Sequence, residues 1–183
     1  MRLCVYGAAS DAIDNKYISA VEFLGKTMAK RGHSLVYGGG GVGVMGAVAR
    51  GVHENGGYVL GVIPRFFQER SIELLYENND QTIYTYTLQE RKEIMEDNAD
   101  GFIVAPGGIG TYDEFFEALT LKQLGRHNKP IVLYNVDGFY DPLIQMLLHA
   151  DSEKFLREGL NEKYAVFSDA EKMIDYFEKY KIQ

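Results

Sequence analysis

The sequence predicts an α/β fold, an open parallel sheet flanked by helices, in a single domain over residues 1–183. Three observations carry this expectation. Short apolar runs alternate with amphipathic runs along the whole chain, the pattern of consecutive β-α-β units. Two glycine-rich turns, at residues 38–46 and 107–110, each follow an apolar run and open an amphipathic one, as in Rossmann-like sheets. The length of 183 residues fits one domain with a sizeable core.

In chain order, residues 3–6 are an apolar run and read as the first strand. Residues 17–31 read as a helix: Ile18, Val21, Phe23, Leu24 and Met28 recur near helical spacing, and Gly32 stops it. Residues 34–37 read as a strand, 43–55 as a helix ending at Gly56-Gly57, and 58–63 as the third strand. Residues 64–80 are polar, with Arg65, Glu69, Arg70, Glu73 and Glu77, and read as a loop with a short helix. Residues 81–87 alternate like a strand, 88–98 read as a helix, and 101–104 as a buried strand. A helix over 110–124, a strand over 131–134, helices over 139–150 and 170–180, and a short strand over 164–167 complete the pattern. There is no internal repeat, low-complexity tract or linker.

Composition narrows the function classes. Nineteen basic and 26 acidic residues give a net charge of −7, and no basic stripe stands out. That argues against a nucleic-acid or anionic-membrane partner but leaves room for a small anion at a local site. The one cysteine, Cys4, allows no disulfide within the chain and fits a reducing compartment. No apolar run is long enough to span a bilayer, and residues 1–7 turn polar too soon for a signal peptide. A cytoplasmic location is therefore expected.

The downstream turn carries the strongest chemical signal. Pro106, Gly107, Gly108, Ile109, Gly110 and Thr111 stand between a strand and a helix, where bare backbone N–H groups and the helix N-terminus favour an anion. Glu114 is expected in the first helical turn, beside the place a phosphate would take. Thr111-x-x-Glu114 has a second reading, a capping box in which Glu114 only bonds backbone, and Asp113 competes as the working carboxylate. The upstream turn matches G-x-G-x-x-G in two registers, Gly38/Gly40/Gly43 and Gly41/Gly43/Gly46. The strand after it ends in Pro64-Arg65, without the acid that would hold a dinucleotide ribose, so a dinucleotide oxidoreductase is disfavoured. The turns at residues 7–10, 38–43, 64–65 and 106–111 all follow strands and should line one crevice, with Gly40 and Gly43 among its binding residues.

Arg91 and Lys92 open a helix before the strand that leads to Pro106. Adjacent residues point about 100° apart on a helix, so one of them suffices to face the crevice. Taken alone, Glu90, Arg91, Lys92 and Glu93 read as a solvated face of paired charges. Arg91 is the better ligand group, because a planar guanidinium binds carboxylate, phosphate or a purine edge with two hydrogen bonds. His33, His53, His127 and His149 are scattered without ligand spacing, and no metal site or cofactor is expected.

Together these residues resemble the Lonely-guy family of cytokinin-activating phosphoribohydrolases. The run from Pro106 to Glu114 matches its P-G-G-x-G-T-x-x-E, with Glu90-Arg91-Lys92 ahead of it. Tyr37-Gly38-Gly39-Gly40, Gly43-Val44-Met45-Gly46, Gly61-Val62-Ile63-Pro64, Gln123-Leu124-Gly125, His127 and Lys129-Pro130 also match, so that the likeness covers roughly residues 1 to 145. The chain departs from the family at Gly7-Ala8-Ala9-Ser10, which replaces Cys-Gly-Ser-Ser, at Tyr112-Asp113, which replaces Leu-Glu, and at Leu121, where Trp is common. The resemblance implies hydrolysis of the N-glycosidic bond of a purine nucleoside 5′-monophosphate, N6-substituted adenine in the best-known members. It assigns Arg91 and Glu114 as the catalytic pair and Gly107, Gly108, Gly110 and Thr111 as the phosphate seat. The same resemblance implies that Lys92 and Thr120 line the site and that the protein forms a homodimer. The family is often labelled lysine decarboxylase, but no lysine here stands in a motif for pyridoxal phosphate. A different class, a non-catalytic carrier of a nucleotide or phosphate-bearing cofactor, would need the glycines but not the pair Arg91 and Glu114.

Overall fold

Strand order fixes where a ligand can bind. In the computed structural model, which describes residues 1–69 and 74–180, seven parallel strands form one sheet in the order β4-β3-β2-β1-β5-β6-β7. These are β1 (Arg2–Tyr6), β2 (Ser34–Tyr37), β3 (Val59–Pro64), β4 (Gln81–Thr85), β5 (Gly101–Val104), β6 (Ile131–Tyr134) and β7 (Ala165–Phe167). The chain runs outward from β1 to β4, then returns to place β5 on the other side of β1. The direction of winding reverses there, so a crevice opens beyond the carboxyl ends of β1 and β5.

Alternation along the strands divides the core. Leu3, Val5, Leu35, Tyr37, Ile103 and Val132 point to one face and pack under α1 (Asn15–Lys30), α2 (Gly43–His53) and α7 (Ala170–Lys179). Cys4, Tyr6, Val36, Val62, Phe102 and Leu133 point to the other, under α4 (Leu88–Asp97), α5 (Ile109–Gln123) and α6 (Asp141–Ser152). Both faces are covered, which is why the strands read as unbroken apolar runs.

The predicted elements are present with shifted ends. Helix α1 starts earlier than its apolar spacing suggests, because the Asp14 carboxylate caps it by accepting from Lys16 N–H at 2.9 Å. Strand β4 stops at Thr85, since Thr87 turns away to cap α4. Residues 64–80 contain a five-residue helix, α3 (Arg65–Glu69), and a strap in which Leu75 bridges Gly40 antiparallel. Arg70 and Glu73 lie outside the described residues. No helix among the described residues is long and apolar enough to cross a membrane.

Helix α7 is tied to the end of α1 by charge. Arg31 bonds Asp175 at 2.6 Å and also pairs with Glu178, whose carboxylate accepts from His33 Nε2 at 3.0 Å. The Arg31 guanidinium holds both carboxyls below their usual range, and burial pushes the His33 imidazole down. All three shifts have the same sign. A carboxyl depressed in the fold stabilises above its unfolded pKa and loses that contribution as pH falls through its folded value. A depressed imidazole likewise stabilises above about 6.5 and loses its contribution in acid. We predict that the thermal midpoint falls as pH drops from 7 to 4, and that Arg31→Met flattens the lower part of this curve. A midpoint independent of pH in the wild type would overturn this account.

Candidate active site

The crevice at the winding reversal has a volume of about 390 Å³. The loop after β1 (Gly7, Ala8, Ala9, Ser10) forms one wall and the turn into α5 another. Helix α4 supplies Leu88, Arg91 and Lys92, while Met45 and Phe67 close it from α2 and α3.

The turn into α5 is held from three sides. Ala105 N–H donates to Tyr6 O at 2.9 Å, Ala8 N–H to Pro106 O at 3.3 Å, and the Tyr140 hydroxyl to Ala105 O at 2.6 Å. Gly108 is the N-cap of α5, and no side chain caps the helix. Its first N–H groups have no intrahelical acceptor by construction, and the partial positive charge of the helix end lies at the crevice. A Cβ at Gly108 or Gly110 would meet nothing within 4 Å, so their faces are open. Gly107 differs: a Cβ there would lie 2.1 Å from Thr111 Oγ1, so this glycine seats the buried Thr111.

The cap assignment corrects the capping-box reading of Thr111 and Glu114. Thr111 is the third residue inside α5, so its hydroxyl does not cap the helix. Glu114 is instead 8% exposed on the crevice wall, with Oε1 3.5 Å from Arg91 Nη1. Asp113 is exposed, and its carboxylate is engaged by Lys92 Nζ at 2.9 Å. Of the two acids, Glu114 is therefore the enclosed one.

The solvated-face reading of Arg91 is also corrected. Arg91 is 9% exposed; its Nε–H donates to Val62 O at 3.2 Å, and its guanidinium carbon lies 5.8 Å from the Phe67 ring centroid. What aims Arg91 inward is a cap one turn earlier. Thr87 Oγ1 accepts from Glu90 N–H at 3.0 Å, and the Glu90 carboxylate accepts from Tyr86 N–H at 2.7 Å. Lys92 also reaches the crevice and binds Glu117 as well as Asp113; burial works against its ammonium, but these hydrogen bonds outweigh it and raise its pKa. Cys4 is buried close to this cluster, and burial first, then the Glu114 charge, push its thiol well above the ordinary range, which disfavours the thiolate.

The upstream glycine turn does different work. Its glycines make room for protein atoms. A Cβ at Gly38 would lie 1.7 Å from Arg91 Nη2, and one at Gly41 2.7 Å from Leu75 O. Gly43, at φ +61°, brings the start of α2 so close to the loop after β1 that a Cβ would lie 2.5 Å from Ser10 O. Gly40 is packed against Met45 and Ala9. Gly40 and Gly43 thus shape the crevice wall from behind and do not line it. Thr120 is exposed on the outer face of α5, away from the crevice, because the helix turns it from the side that carries Glu114.

Three lining residues escaped sequence reasoning. Phe67 sits in the polar stretch without periodicity, and Met45 and Leu88 read as ordinary apolar helix positions. The cap that aims Arg91 did have a signal, Thr87-Leu88-Gln89-Glu90, a Thr-x-x-Glu box just before the helix.

Known proteins are similar to this chain in sequence and fold. The family model described as "Possible lysine decarboxylase" matches residues 45–177. The chain is 40% identical over 179 residues to the cytokinin riboside 5′-monophosphate phosphoribohydrolase LOG of Oryza sativa subsp. japonica, covering 98% of this chain and 73% of that protein. It is 37% identical to the corresponding LOG2 protein of Arabidopsis thaliana, covering 98% and 83%. Both alignments run well past residue 145, where the motif likeness ended. Among solved structures, the molybdenum cofactor carrier protein of Chlamydomonas reinhardtii superposes with a TM-score of 0.72 at 24% identity, over 97% of this chain and 96% of that one, a likeness of fold alone. With most of its length matched by the family model, and most of the length of both plant relatives covered, the chain belongs to the Lonely-guy family, whose model carries the lysine decarboxylase description.

Proposed function

We propose that the chain hydrolyses the N-glycosidic bond of purine nucleoside 5′-monophosphates, releasing the free base and ribose 5-phosphate. N6-substituted adenine nucleotides, after which the plant relatives are named, are the proposed substrates. One observation carries the reading. The enclosed carboxylate of Glu114, faced by Arg91, stands on the same helix whose uncapped, open N-terminus offers a phosphate seat. A carrier would need the seat and has no use for the buried pair.

The chemistry follows from the placement. Cleavage passes through an oxocarbenium-like ribose, positive at C1′. Glu114 offsets that charge and takes a proton from the attacking water. The C1′–N9 electron pair leaves on the base, and in sum the base gains the proton that the water loses. Arg91 serves as a hydrogen-bond donor that holds Glu114 and faces the departing base. Gly108, Gly110 and Thr111 hold the phosphate, which fixes the ribose against Glu114.

A second copy is proposed on the outer face of α5. Phe115 and Leu119 of this helix face its own core, whereas Ile109 is 83% exposed and Leu124 54% exposed. With Asp113, Phe116 and Thr120 between them, these residues follow helical spacing along one side. An isologous two-fold contact there would lie next to the crevice.

Three outcomes test this reading. Glu114→Gln keeps side-chain size but leaves the Arg91 charge without its carboxylate, so the thermal midpoint should fall while the protein still folds at room temperature, and turnover should drop roughly 100-fold or more. Wild-type turnover in this variant would remove Glu114 from the chemistry. AMP should be cleaved far faster than adenosine, and equal rates would rule out the phosphate seat. Light scattering should report twice 20.6 kDa at micromolar concentration; a fully active monomer would dismiss the two-fold contact.

A further inference from the structure

The place of a Cβ at Gly38 is already taken. It would lie 1.7 Å from Nη2 and 2.8 Å from Cζ of Arg91, and 3.3 Å from Met45 Sδ. Gly38 is not among the residues with positive φ, so its backbone would accept alanine. The closest obstacle to a side chain is the guanidinium, with the flexible Met45 thioether next at 3.3 Å. Arg91 is held there by Nε–H donation to Val62 O and by the Phe67 ring, with Nη1 3.5 Å from Glu114 Oε1.

We propose that Gly38 is a positioning residue for Arg91: the missing side chain at 38 is the socket that seats the guanidinium against Glu114. The inference rests on the proposed phosphoribohydrolase reading for its effect on rate, but the seating itself is a matter of packing. It also accounts for the first glycine of the upstream turn without any ligand. A methyl group at 38 must displace the far end of a flexible side chain, not backbone. Folding should therefore survive while the guanidinium leaves its place. The phosphate seat at Gly108 and Gly110 lies on another element and is untouched.

A double-mutant cycle tests this, with Gly38→Ala, Arg91→Ala and the two combined, assayed for base release from AMP or its N6-substituted form. For Gly38→Ala we expect kcat to fall roughly 100-fold or more with KM within about 3-fold of wild type. The double variant should be no slower than Arg91→Ala, because the guanidinium that the methyl group displaces is then already gone. Near-wild-type kcat in Gly38→Ala, or losses that multiply in the double variant, would overturn the proposal. If Gly38→Ala does not fold, the double variant must regain folding, and its failure to do so would equally overturn it. If the wild type cleaves no nucleotide, the functional reading fails, and the Arg91 Nε–H resonance in nitrogen-15 spectra decides the seating. It must shift in Gly38→Ala; an unmoved resonance rejects the socket.

Discussion

Burying a guanidinium constrains everything around it. Its N–H groups need acceptors and its charge needs an opposite charge, since an unpaired buried ion is costly. Arg91 meets these demands with a carbonyl from β3, the carboxylate from α5 and the ring from α3. One side chain thus touches three elements on three sides of the crevice. The cap at Thr87 and Glu90 fixes the helix that presents it, and the bare backbone at Gly38 leaves the space.

The two glycine-rich turns resemble one another as text and differ as objects. At the upstream turn, absent side chains are replaced by Arg91, by the strap at Leu75 and by the loop at Ser10. At the downstream turn, Gly108 and Gly110 face empty space at an uncapped helix end. One turn is a packing device and the other an opening. A dinucleotide pyrophosphate approaching the upstream turn would find Arg91 already lying on Gly38.

Local signals carried most of the fold. The apolar runs of β1, β2, β5 and β6 are buried on both faces and stand out in the sequence, and so does the glycine turn leading to Glu114. The motif likeness singled out Arg91, but its burial was not visible, because its neighbours Glu90, Lys92 and Glu93 spell a solvated helix face. The atoms that make it a buried group belong to Val62, Gly38 and Glu114, which are distant along the chain. Phe67 was hidden for a related reason: α3 is too short to show a period. Thr111 and Glu114 fit a capping motif by spacing, and only the start of α5 at Ile109 separates that reading from the observed one.

Helix α5 carries both the open N-terminus and Glu114, and an α-helix is stiff over so short a span. Gly110 and Glu114 are separated along the axis by about 6 Å, at 1.5 Å per residue. If a phosphate occupies the opening, the helix works as a ruler laid against the ligand. The reach from phosphorus to the carbon under attack must then match a length the protein does not adjust. Discrimination among sugar phosphates would come from their geometry, a fixed gauge built into one secondary-structure element, with no closing motion required.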